Sequence, residues 1–208
     1  NEVHDLYDYM DGASPTSAPL PLINIPTTMQ DSFLFTDRTP IIDARSRKTK
    51  LLKTQTGLCK LALFDPNLSI NMTDSQIASN SIQTLCVAIE SYISQKANFF
   101  SDTILEKAIE LLANGFDGSP NLTGAASSEI LLAQGGCMTS LGAAISSTGP
   151  ASLLALTIDS RFQITSSLTA GILLPYVIED VAKYKSDKLA NVARIMRIVD
   201  QTTDTKTA

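Results

Sequence analysis

The residues able to do chemistry are set first by what is scarce. His4 is the one histidine in 208 residues, and it stands near the start of the sequence. A single imidazole there excludes Ser-His-Asp triads, Cys-His pairs in a core and metal sites built on several histidines. Cys59, Cys86 and Cys137 share no close spacing, so they read as reduced thiols rather than a disulfide framework or a zinc knuckle. Cys86 falls on an apolar helical stripe, where a thiol is inert. Glu90 and Asp180 stand beside such stripes and are candidate general bases, with capping or a surface position as the plainer account. Gly135-Gly136 has no following Gly-Lys-Ser/Thr and no preceding strand, so it points to close helix packing rather than phosphate binding. The cluster Arg45, Arg47, Lys48, Lys50 and Lys53 could attract a phosphate, but a solvated hairpin explains it more simply. Three glycosylation triplets, beginning at Asn67, Asn71 and Asn121, have no secretory signal before them and are read as chance.

The elements that must position these residues change character along the chain. Leu20–Ile25 is a short apolar run between prolines and is predicted to be a strand. A further strand is expected at Phe33-Leu34-Phe35, a turn near Asp37–Pro40, a strand from Ile41, and another over Leu58–Phe64. After residue 72 the apolar period becomes helical. Thr73-Asp-Ser-Gln76 fits a capping box, followed by a stripe of Ile82, Leu85, Cys86, Ile89, Tyr92 and Ile93. A second helix is expected from a Ser101 cap to a stop at Gly115, a third over Ser128–Ile145, and a fourth from Pro150 to about Thr157. A fifth is expected from Ser167 to Lys183, kinked at Pro175, and a sixth from Ser186 to Val199. Residues 1–19 read as a flexible approach segment and 201–208 as a disordered tail.

Composition narrows the partners. Sixteen Lys and Arg against twenty-one Asp and Glu give a net charge of −5, which disfavours nucleic acid. No apolar run reaches the roughly 20 residues of a membrane-spanning helix. With reduced thiols and no signal peptide, a cytoplasmic location is expected. Asn rather than Met at position 1 suggests a cut chain.

Four segments in sequence, Leu20-Pro-Leu-Ile-Asn-Ile-Pro-Thr-Thr28, Leu61-Ala-Leu-Phe-Asp-Pro-Asn-Leu68, Val87-Ala-Ile-Glu-Ser-Tyr92 and Gly171-Ile-Leu-Leu-Pro175, resemble the iron-containing (group III) alcohol dehydrogenases. The resemblance runs from about residue 18 to about residue 198. It implies a dehydroquinate synthase-like fold: an α+β chain in which 20–70 is the strand-rich remnant of a Rossmann-like nucleotide domain. Residues 73–200 would then form an all-helical domain of the metal-binding type. It also implies that the family's Gly-Gly-Gly-Ser pyrophosphate loop would lie before residue 1 and its last helices after residue 208.

The family uses NAD(P) and iron or zinc to interconvert alcohols and aldehydes. Aligning the motifs places Gln83 at the Asp ligand, Val87 at one His ligand, Ser152 and Ser166 at the other two, and Leu156 where a non-ligand histidine is usual. None of these supplies an imidazole or a carboxylate. The Gly-Thr-Gly-Ser-Glu stretch after Pro-Thr-Thr is replaced by Met29-Gln-Asp-Ser-Phe-Leu34, leaving Thr27 and Thr28 as the cofactor-facing remnant. The expectation is a truncated, catalytically degenerate member with no cofactor and no metal, whose old cleft floor has collapsed or become apolar. The alternative is a non-catalytic binding or oligomer-forming module, a homo-oligomer or a partner of an active homologue.

Overall fold

The computed structural model describes residues 5–14, 20–29, 31–53, 59–69, 72–117 and 127–208. Its order is α1 (Leu6–Met10), β1 (Ile23–Asn24), β2 (Arg38–Asp43), β3 (Lys48–Lys53), β4 (Leu61–Ala62), a 3-10 turn (Pro66–Ser69), α2 (Asp74–Ile93), α3 (Phe99–Asp117), α4 (Ser128–Ile145), α5 (Pro150–Phe162) and α6 (Ser166–Ile195). A short strand-rich part followed by a helical one is the α+β arrangement that the sequence implies. No single described helix is long and apolar enough to cross a membrane.

The strands are shorter than their apolar runs. β1 and β4 pair in parallel, Ile23 with Leu61 and Asn24 with Ala62. β2 and β3 form an antiparallel hairpin from Arg38–Lys53 to Asp43–Lys48. The turn expected near Asp37–Pro40 lies instead at residues 44–47, where Arg47 takes a positive φ of 51°. Phe33–Phe35 is a turn rather than a strand, because the Asp31 carboxylate accepts from the Phe33 amide at 3.1 Å and bends the chain there. The basic cluster lies on the hairpin and its turn, as the simpler reading has it. Arg45 pairs with Asp43 and Asp11, and Lys50 with the same two carboxylates, so the two best-placed cations are already neutralised. Through these pairs the approach segment is joined to β3.

The helical part is set by local signals and then by packing. Thr73 and Gln76 form the reciprocal cap of α2. α3 is capped by Asn98, whose Oδ1 accepts from the amides of Phe100 and Ser101, and not by Ser101 alone. It continues through Gly115 to Asp117. Gly115 is there for space: a Cβ on it would meet Leu132 at 2.8 Å. The glycines of α4 act the same way, Gly135 against Leu112, Gly142 against Leu105, and Gly136 against the backbone oxygen of Met29. These approaches build a core of Ala88, Ile89, Tyr92 and Ile93 from α2, Leu105, Ile109 and Leu112 from α3, Leu132 from α4 and Val192 from α6.

α5 runs past Thr157 to Phe162 and stops where Gln163 turns left-handed. The fifth and sixth expected helices meet at Lys185, whose φ and ψ of −133° and 31° break the run Ser166–Ile195 into two where the sequence puts their boundary. The non-helical dihedrals are at Lys185, while Pro175 lies inside the first of the two helices. Beyond the break, Lys188 donates to Asp102 and to the carbonyl of Tyr92. Asn191 donates to Glu106 and to the Tyr92 hydroxyl. The terminal residues form turns, with Arg194 donating to the carbonyl of Thr203.

Candidate functional site

Three helices converge where the resemblance puts a metal. On α2, Gln83, Val87 and Glu90 recur at intervals of four and three and so share one face. All three are buried, at 4%, 1% and 2% exposure. α5 brings Ser152 and Leu156, and the first turn of α6 brings Ser166.

The polar groups at these positions satisfy one another. Gln83 Nε2 donates to Ser166 Oγ at 3.0 Å, and the same hydroxyl lies 3.2 Å from Gln83 Oε1. One turn earlier on α2, the hydroxyls of Ser79 and Ser167 are hydrogen-bonded. Ser152 donates its hydroxyl to Glu90, and the Glu90 carboxylate also accepts from the amides of Ala151 at 2.6 Å and Ser152 at 2.9 Å. Glu90 therefore fills the N-terminal end of α5, where free amides and the helix dipole favour a negative group. That is the capping role, and it leaves the carboxylate fully used. Asp180, the other candidate base, is 79% exposed and sits 3.9 Å from Lys183.

The cleft floor has not collapsed. Asp31, Ser32, Phe33, Pro40, Gln83, Val87, Thr148, Ser152 and Leu156 enclose a cavity of about 200 Å³. Its wall is largely apolar by area, as the sequence led one to expect, with a minority of polar groups from Asp31, Ser32, Gln83, Thr148 and Ser152. Asp31 and Thr148 were not evident as site residues from the sequence. The signal for Asp31 was an acidic residue at the place of a glycine-rich stretch.

These donors do not fit iron or zinc. They comprise an amide, two hydroxyls and an isopropyl group, with no thiolate, imidazole or carboxylate among the four positions. Both hydroxyls and the amide are already paired. Among the described residues no three His, Cys, Asp or Glu side chains converge.

Thr27 and Thr28 lie elsewhere. They border a space of about 10 Å³ with Met29, Phe64 and Ala133, and it shares no lining residue with the cavity beside Val87. Such a space holds at most one water. Cys86 is buried, and burial together with the nearby Glu90 pushes its thiol up to about 12, so it is an inert thiol. Cys59 and Cys137 are also unbridged. His4 lies outside the described residues.

Residues 77–208 match the model of the Fe-containing alcohol dehydrogenase family, C-terminal part. The chain is 26% identical over 190 residues to lactaldehyde reductase of Escherichia coli K12, covering 91% of this chain and 49% of that protein. It is 28% identical over 193 residues to the probable alcohol dehydrogenase EutG of the same strain, covering 90% and 48%. It therefore spans about half the length of the curated relatives it matches. Among solved structures, a 1,3-propanediol oxidoreductase superposes with a TM-score of 0.85 at 21% identity, over 98% of this chain and 53% of that one. Sulfoacetaldehyde reductase from Bifidobacterium kashiwanohense, solved with NAD+, gives a TM-score of 0.83 at 16% identity, over 99% and 54%. The helical layout, the matched residues and the motifs carried on α2 and α6 place this chain in the iron-containing alcohol dehydrogenase family.

Proposed function

We propose that this chain is a catalytically degenerate member of its family, one that retains the helical scaffold and has given up metal-dependent alcohol and aldehyde oxidoreduction. The reading is carried by the Gln83–Ser166 pair. Two positions that the family resemblance assigns to metal ligands are an amide and a hydroxyl that hydrogen-bond directly to each other, linking α2 to α6. Ser152, at a third such position, is bonded to Glu90, and Val87, at the fourth, has no donor atom. With no Lewis acid to polarise the substrate oxygen, hydride transfer loses its main electrostatic support. The role that remains is binding, in the cavity beside Val87, and no metal or nucleotide cofactor is expected for the 208-residue chain.

The test is elemental analysis of protein produced with excess iron and zinc, together with alcohol oxidation assayed with NAD+ and NADP+. Substoichiometric metal and no turnover are expected. One iron or zinc per chain, lost in both Gln83→Ala and Ser166→Ala, would overturn the proposal.

A further inference from the structure

The cavity beside Val87 has one charged lining group, Asp31. Its Oδ1 accepts from the Phe33 amide at 3.1 Å, and the Leu34 amide also points at the carboxylate. Among the described residues no ammonium or guanidinium pairs with it. Burial raises its pKa, because desolvation disfavours the charged form, and the two amides offset this only in part. Around it the wall divides in two. Ser32, Thr148 and the Ser152 hydroxyl oxygen offer lone pairs, whereas Phe33, Pro40, Val87 and Leu156 are apolar.

Each class of small ligand meets this wall differently. An anion would face Asp31 without a cationic partner. A divalent metal would find one carboxylate where it needs several oxygen ligands. A neutral alcohol would leave Asp31 uncompensated. An ammonium gives Asp31 its countercharge, has further N–H groups for the hydroxyl oxygens, and carries an alkyl part for the apolar half. A volume of about 200 Å³ equals roughly six or seven waters of liquid, which limits the ligand to a few heavy atoms.

We propose that this cavity binds a small primary organic ammonium, its nitrogen on Asp31 and its alkyl part against Val87, Leu156 and Phe33. The proposal rests on the reading that no metal occupies the same space, and it names the ligand class for the binding role.

The test is titration of the full chain with n-butylammonium, followed through the methyl signals of Val87 and Leu156, with n-butanol and butyrate as matched probes. Binding of the ammonium is expected in roughly the millimolar range for a ligand of this size. It should be roughly tenfold or more tighter than the neutral and anionic analogues, and weaken by a similar factor in Asp31→Asn. Leu156→Phe, which fills the apolar half and leaves the carboxylate intact, is expected to weaken it as well, and serves if Asp31→Asn does not fold. Equal affinity for butanol, undiminished binding by Asp31→Asn or Leu156→Phe, or no binding well above millimolar concentration overturns the proposal. Metal content measured on the same sample separates the two ideas: stoichiometric metal defeats the degenerate-site reading, and metal-free protein that ignores butylammonium defeats this one alone.

Discussion

Glu90 on α2 and Ser152 on α5 are joined by a buried hydrogen bond, and the same carboxylate receives the first two amides available at the start of α5. The contact fixes the angle between two helices that wall the cavity. Glu90→Ala would strand two amides and a hydroxyl without partners. A loss of about 2–4 kcal/mol in urea unfolding is expected. Glu90→Gln keeps an acceptor oxygen and is expected to recover part of it. Gly149→Ala should mimic the alanine variant, because its Cβ would stand 2.5 Å from the Glu90 carboxyl carbon.

Val87 tests the register of the whole site. It is buried and faces the cavity between Gln83 and Ser152. Gln83 and Ser152 are already bonded, and an imidazole is larger and more polar than the isopropyl group it would replace. Val87→His is expected to destabilise the fold by about 1–3 kcal/mol, read from melting curves. A neutral result would mean that α2 presents a different face to the cleft. Restoring Gln83→Asp, Val87→His, Ser152→His and Ser166→His together is expected to bring back metal binding, read by elemental analysis.

Gly136 couples the strand-rich part to the helices. A Cβ at this position would lie 2.2 Å from the backbone oxygen of Met29, and a backbone atom cannot swing aside as a side chain can. Gly136→Ala is expected to cost about 3 kcal/mol, at the upper end of overpacking effects. The loss should come with greater protease sensitivity in residues 20–53, because displacing Met29 loosens that segment from the helical core into which Met29 packs.

Acid should loosen the hairpin first. Arg45, and then Lys50, hold Asp43 well below the usual carboxylate range. A depressed folded pKa means that its stabilisation is fully present above the ordinary aspartate value of about 3.9 and is lost as pH falls through the folded value. Arg45 and Lys50 stay charged throughout, so protonating Asp43 leaves them only the exposed Asp11 carboxylate to share. Amide protection in β2 and β3 is expected to fall below about pH 4 while α3 and α4 stay protected. In Asp43→Asn the hairpin should be weaker at neutral pH and the acid dependence reduced.

What could be read from sequence was what short range decides. The cap at Thr73 and Gln76 and the bounds of α4 at Ser128 and Ile145 depend on residues within a turn or two, or on the Gly149-Pro150 break. Gly115 misled because a glycine that stops a helix and a glycine that admits a leucine look alike until Leu132 is placed against it. Phe33–Phe35 misled because its β-prone side chains are overruled by one carboxylate two residues away. The four replaced ligand positions came from motif alignment, and the structure brings them to adjoining places on α2, α5 and α6. Their pairing could not be foreseen. Nothing in the string of residues says that Gln83 will find Ser166, or that Asp31 will share a cavity with Thr148.

The Gln83–Ser166 bond links residues 83 positions apart in the chain. Bringing such distant segments together is a slow entropic step, whereas α3 and α4 are neighbours in sequence and can meet early. A clamp made around an ion would make that late closure wait on a second species and depend on its concentration. Here both halves of the clamp are encoded in the polypeptide. On the proposed metal-free reading, its closure is a first-order event with a rate independent of metal supply.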